Sequence, residues 1–230
     1  PAMTEGVLRA GAADGTLDLP VGVPLGGFTG RDRALGSEPG PDTRDSDYRT
    51  DFVPSGGWQT RIPMQTIWIE NGQETAVLVR VDLIYSYDGL TEAIGEALTE
   101  ATGTDLTDSV FTFTNHSHSS YGAFSKATLL FFGADFWREE IQERMVAQIV
   151  AQALQARDDA TEAAIGLGID PLFDPIGDDS IFRDRREENS ALLKPDGTVS
   201  GPGWKDERAT MLRVDSAAGE PIAAMFAFGM

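Results

Sequence analysis

The chain has 230 residues and a formal net charge of −19, from 37 acidic and 18 basic residues, and it contains no cysteine. Its length allows one large domain or two small ones, and 41% hydrophobic residues exclude a disordered chain. The charge excludes nucleic acid as a partner, because phosphate binding needs clustered Lys and Arg; the lack of cysteine excludes disulfide frameworks, thiolate zinc sites and cysteine nucleophiles.

Residues 6–35 mix glycine, proline and short apolar stretches, and Gly26-Gly27 reads as a tight turn in preference to a nucleotide cradle. Residues 36–60 are rich in Gly, Pro, Asp and Ser and predict a long surface loop. Its Asp42, Asp45, Asp47 and Asp51 lack the ligand order and glycine of an EF-hand, so the loop is read as solvated. Met64 to Glu70 and Thr75 to Leu83 are β-branched and apolar on either side of Asn71-Gly72, which predicts a hairpin. Leu90, Ile94 and Leu98 recur at helical spacing. Val110 to Thr114 predicts the next strand. A long helix is expected from Asp135, with Trp137, Ile141, Met145, Ile149 and Ala153 on one face. Ala163 to Ile169 predicts a strand, residues 170–207 are polar and irregular, and Thr210 to Val214 with Ile222 to Phe228 predict a second hairpin.

This order implies a mixed α/β sheet with flanking helices. No apolar run approaches the roughly 20 residues of a membrane-spanning helix, so no transmembrane segment is expected. Pro1-Ala2-Met3 has no basic start leading into an apolar stretch, so no signal peptide is read there. Ile222 to Met230 reads as a buried-type strand, and the chain is expected to stop inside a domain.

Only two histidines are present, in Thr112-Phe113-Thr114-Asn115-His116-Ser117-His118-Ser119-Ser120. On an extended strand, residues two apart share a side. Phe111 and Phe113 are thus expected to face the core, with Thr112, Thr114, His116 and His118 facing the other way. The pair follows a predicted strand's C-terminal end, where α/β sheets place their sites. Neutral imidazole is a good zinc ligand, and zinc-bound water suits amide hydrolysis. A second histidine could hold a proton or stabilise an oxyanion. Residue pattern leaves two readings open, a metal site and a pair hydrogen-bonded at a strand end. A catalytic zinc usually has three protein ligands, so the others must be carboxylates or tyrosines, or lie outside the chain. There is no Gly-x-Ser-x-Gly elbow, which leaves Ser117, Ser119 and Ser120 weak nucleophile candidates.

The order of segments resembles the N-terminal region of the neutral/alkaline, non-lysosomal ceramidase family. Gly11-Ala12-Ala13-Asp14 and Pro24-Leu25-Gly26-Gly27-Phe28 look like its opening segment, and Ala76 to Asp82 looks like its strand ending in Asp. Asn115-His116-Ser117-His118-Ser119 resembles its Thr-His-Thr-His-Ser. The resemblance implies that His116 binds zinc and that His118 lines the active site. Ile181-Phe182-Arg183-Asp184 sits where the family has Ile-Asn-Arg-Ser, which makes Arg183 a site residue; the alternative is a solvated cluster with Arg185, Arg186, Glu187 and Glu188. Ser120-Tyr121 departs from the family's Gly-Pro. The family's second zinc histidine, its zinc-binding Glu and Tyr, and an immunoglobulin-like domain would lie beyond Met230. The resemblance thus implies a zinc-dependent amidohydrolase, secreted or periplasmic, acting on ceramide or another small lipid-like N-acyl substrate. It also implies a partner, the remainder of the catalytic domain C-terminal to Met230. Two alternatives stand beside it: a non-catalytic binding or structural domain derived from the family, and one chain of a proteolytically processed two-chain hydrolase.

Overall fold

Small residues, rather than β-branched ones, begin the sheet. The structure, a computed structural model, describes residues 6–28, 31, 44–171 and 208–228. It divides into two units, Pro1–Glu162 and Ala163–Met230.

The first unit holds β1 (Arg9–Leu17), β2 (Ile62–Glu70), β3 (Thr75–Val81), α1 (Asp88–Thr102), β4 (Val110–Phe113), the single turn α2 (Phe131–Ala134) and α3 (Glu139–Asp158). β1 pairs antiparallel with β2, β2 antiparallel with β3, and β3 parallel with β4. The expected mixed α/β sheet is therefore present. The Asn71-Gly72 hairpin forms as predicted. Gly72 takes φ 84°, which favours glycine, and Asn71 Oδ1 accepts the amides of Gln73 and Glu74 at 3.0 and 2.8 Å.

One sheet face packs under the two long helices. Met64, Thr66 and Trp68 lie opposite Val81, Val79 and Val77, and all six are buried. Against them pack Leu90, Ile94 and Leu98 of α1 and Ile141, Met145, Ile149, Ala153 and Ala156 of α3. Each fully buried aliphatic side chain contributes about 1.5–3 kcal/mol. Gln152 fixes the register of α3 on the sheet: its Oε1 accepts from Thr66 Oγ1 at 2.9 Å, and its Nε2 donates to the Met64 carbonyl at 3.0 Å.

β1 was not among the predicted strands. Its sequence, RAGAADGTL, has one β-branched residue, so propensity gives no signal. Close packing explains it instead. A Cβ on Gly11 would lie 2.1 Å from the Ala156 carbonyl oxygen and 2.7 Å from the Ala160 nitrogen. The strand is built of small residues because α3 lies directly on it.

Three expectations change. First, Phe111 is 48% exposed, whereas Val110 and Thr112 face α1. The facing of β4 is thus the reverse of that expected, because α1 covers the Val110 side. Second, the long helix starts at Glu139, not Asp135. Asp135 takes φ 66° and is buried, and its carboxylate accepts the amides of Thr50, Asp51, Phe52 and Phe136 at 2.8, 3.0, 3.3 and 2.8 Å. Trp137 lies outside the helix and donates its indole N–H to Gln142 Oε1 at 2.6 Å. Third, the described part of the predicted surface loop, residues 44–60, is not all solvated: Phe52 is fully buried.

β5 (Thr161–Asp170) starts in the first unit, where Thr161 and Glu162 pair with Ala10 and Arg9. In the second unit it pairs antiparallel with β6 (Ala209–Ser216), which pairs antiparallel with β7 (Pro221–Phe228). The predicted strand and second hairpin are both present. No described helix is long and apolar enough to cross a membrane.

Gly11→Ala places its methyl carbon against the α3 backbone, which cannot swing aside as a side chain can. It is expected to lower stability by about 1–3 kcal/mol in urea denaturation. Gly166→Ala, where a Cβ meets nothing within 4 Å, is expected to stay within about 0.5 kcal/mol of wild type.

Candidate functional site

Two parallel strands bring the histidines to their place. β3 and β4 run in the same direction, so the segments leaving them emerge at one sheet end. Leu83 and Ile84 follow β3, and His116 to His118 follow β4. Two hydrogen bonds join the segments: the Ser117 amide donates to the Leu83 carbonyl at 3.1 Å, and His116 Nδ1 lies 2.7 Å from the Ile84 carbonyl oxygen. A carbonyl only accepts, so Nδ1 carries a proton, and the neutral ring in this orientation is the tautomer with its lone pair on Nε2. Such a backbone partner orients a metal-binding imidazole and makes it more basic.

The strand ends at Phe113, and His116 takes a left-handed φ of 57°. The pair is therefore not presented by strand alternation, as the sequence reading assumed. A turn brings the rings together instead, centroids 4.8 Å apart and edge to face at 66°. Thr112 belongs elsewhere: its hydroxyl is hydrogen-bonded to Ser86 and, at 2.7 Å, to Thr91 on α1.

His118 rests on residues 26–28. A Cβ on Gly27 would lie 2.7 Å from His118 Cβ and Cγ, and Gly27 has φ 121°, so both space and backbone require glycine. Gly26-Gly27 is accordingly the floor under His118. The Gly26 amide donates to the Ser120 carbonyl at 2.9 Å, and the Gly27 amide to the Gly133 carbonyl at 2.5 Å. The Phe28 ring meets His118 at 4.5 Å between centroids. Among the described residues, His118 Nδ1 is buried with no hydrogen-bond partner, although a buried polar atom without one costs about 1–3 kcal/mol. Arg31 Nη1 donates to the carbonyls of Gly26 and His118 at 2.7 and 2.6 Å. Burial lowers the pKa of this guanidinium below its ordinary value.

Tyr121, where the family pattern has proline, is a buried post. Its hydroxyl accepts the Leu19 amide at 3.2 Å and the Trp58 indole N–H at 2.7 Å. Ser117 and Ser119 are tied to each other, the Ser119 amide donating to Ser117 Oγ at 3.3 Å. Tyr85 packs on Phe124 at 5.1 Å, and burial pushes its phenol up to about 12, with Tyr87 adding to the rise.

His116 and His118 are thus brought together, and Arg183 lies outside the described residues. Among the described residues, no group of three or more His, Asp and Glu side chains assembles to hold a metal. The pair offers two adjacent imidazoles, one of them fixed through its Nδ1, which is fewer than the three protein ligands a catalytic zinc usually has. Sequence reasoning missed Arg31 and the Ile84 carbonyl. Gly27 and Phe28 were visible only as members of a resembling segment.

No family model matches the chain, and no curated protein sequence matches it. Solved structures do. One is neutral ceramidase from Pseudomonas aeruginosa, with TM-score 0.69 and 16% identity over 98% of this chain and 32% of that one. The chain shares a ceramidase fold. A second is a ceramidase complexed with C2, with TM-score 0.71 and 17% identity over 97% of this chain and 31% of that one. The chain spans about a third of the length of these ceramidases. The fold resemblance read from the sequence is met across nearly the whole chain.

Asp135→Asn replaces an acceptor oxygen facing backbone amides with a donor. It is expected to lower stability by about 2–4 kcal/mol in urea denaturation. Tyr85 sets a pH dependence. The folded chain keeps the phenolic proton up to about 12, whereas an unfolded tyrosine loses it near 10. Its contribution to stability is therefore full below pH 10 and falls as pH rises through that window. Denaturation across the window is expected to show a smaller loss in Tyr85→Phe than in wild type.

Proposed function

We propose that the chain is part of a zinc-dependent amidohydrolase of the ceramidase type, cleaving the amide bond of ceramide or another lipid-like N-acyl substrate. The observation that carries this reading is the fixed orientation of the His116 ring, held through Nδ1 and packed edge to face against the His118 ring, in a chain of ceramidase fold. Zinc, when bound, supplies a Lewis acid for the amide carbonyl and an acidified water. His116 would hold it through Nε2, with the Ile84 carbonyl keeping the ring oriented. His118 would stabilise charge developing on the amide oxygen through a ring N–H, a contribution of about 10²–10³ in rate for one such donor. Arg183 would add positive charge at the same oxygen.

The remaining ligands and the wall opposite the histidines would come from the remainder of the catalytic domain, C-terminal to Met230. A secreted or periplasmic location goes with this reading. A non-catalytic role draws support from one observation, that only two candidate ligands meet among the described residues.

One experiment separates the two readings. Zinc content and N-acyl amidase activity are measured on the complete protein as wild type, His116→Ala and His118→Ala. His116→Ala is expected to lose both zinc and activity. His118→Ala is expected to keep zinc while kcat falls about 10²–10³-fold. Equal zinc and equal activity in wild type and His116→Ala would sink the proposal, and inactivity of the wild type would favour the non-catalytic reading.

A further inference from the structure

We infer that Arg31 is a positioning residue, a clamp that holds His118 against Phe28 and Gly27 without acting on His116. The two histidines are held by different means. His116 has its own ring hydrogen bond, to the Ile84 carbonyl. Among the described residues His118 Nδ1 has none. The orientation of the His118 ring therefore depends on what packs around it and on where its backbone is fixed.

Arg31 controls both. Its Nη1 bridges the carbonyls of His118 and Gly26 at 2.6 and 2.7 Å, joining the histidine turn to the segment beneath it. The guanidinium carbon lies 5.1 Å from the centroid of the Phe28 ring, and Phe28 in turn meets the His118 ring edge to face. One planar cation thus fixes the backbone of His118 and the aromatic wall beside it. Arginine suits the task because a guanidinium stacks on a ring while its N–H groups donate in its own plane. Arg31 is itself held on both sides: its amide donates to the Phe28 carbonyl at 2.9 Å, and its carbonyl accepts the Val53 amide at 3.1 Å. The purpose of the clamp rests on the proposed metal-site reading, but its existence does not.

The chain has two histidines, so long-range ¹H–¹⁵N imidazole spectra of the 230-residue chain contain two ring systems, assigned with His116→Gln. In Arg31→Gln the His118 resonances are expected to shift and broaden as the Phe28 ring moves, while those of His116 stay in place. Arg31→Lys, which keeps the charge and donors but cannot stack, is expected to restore part of the shift. Unchanged His118 resonances in Arg31→Gln overturn the inference, and so does equal displacement of both histidines. Loss of dispersed amide signals in both Arg31 variants overturns it too, since Arg31 would then be a general determinant of the fold. The readout uses neither metal nor substrate. A zinc-free, inactive protein would defeat the proposed function and leave this result standing.

Discussion

The buried carboxylate of Asp135 connects the parts that make the site. Four backbone amides converge on it, three of them from Thr50, Asp51 and Phe52. Hydrogen bonds to a charged acceptor each contribute about 1.5–3 kcal/mol, more than bonds between neutral groups. The anchored segment continues to Pro54 and Ser55, which bond to Pro24 and Val23. Those residues lead into Gly26, Gly27 and Phe28, the floor and wall of His118. On its other side Asp135 ends the turn whose Gly133 and Ala134 carbonyls accept the amides of Gly27 and Ala123. Removing the carboxylate would loosen both walls of one loop cluster.

The sheet supplies the other half of the arrangement. A parallel pair puts two C-terminal strand ends side by side, which an antiparallel pair cannot do. Ile84 and His116 meet for that reason, although 32 residues separate them. The backbone carbonyl that selects the imidazole tautomer comes from Ile84, a buried residue three positions beyond the end of β3. Among the described residues His118 has no equivalent support and depends on packing from residues 26–28 and on Arg31.

What the sequence revealed follows from the kind of force involved. The Asn71-Gly72 hairpin and the buried stripes of α1 and α3 rest on local turn chemistry and periodicity, and both are visible in one dimension. β1 was invisible because Gly11 serves a helix about 150 residues further on. The facing of β4 came out reversed because period-two alternation identifies two faces and does not say which one a helix covers. The histidine pair was legible from spacing, but for a different geometric reason, since a left-handed turn at His116 brings the rings together. Asp135 was read as a helix start from its position before a periodic run, whereas its carboxylate answers amides 85 residues away.

That separation has a consequence for synthesis on the ribosome. The floor of the site is translated first, but the residue that anchors its neighbouring segment emerges much later, and Tyr121 reaches Leu19 across 102 positions. Closing such long loops costs entropy before any contact repays it, and distant pairings form slowly. The hydrogen bonds joining Pro24, Gly26 and Gly27 to Gly122, Ser120 and Gly133 therefore cannot form until those later residues have left the exit tunnel.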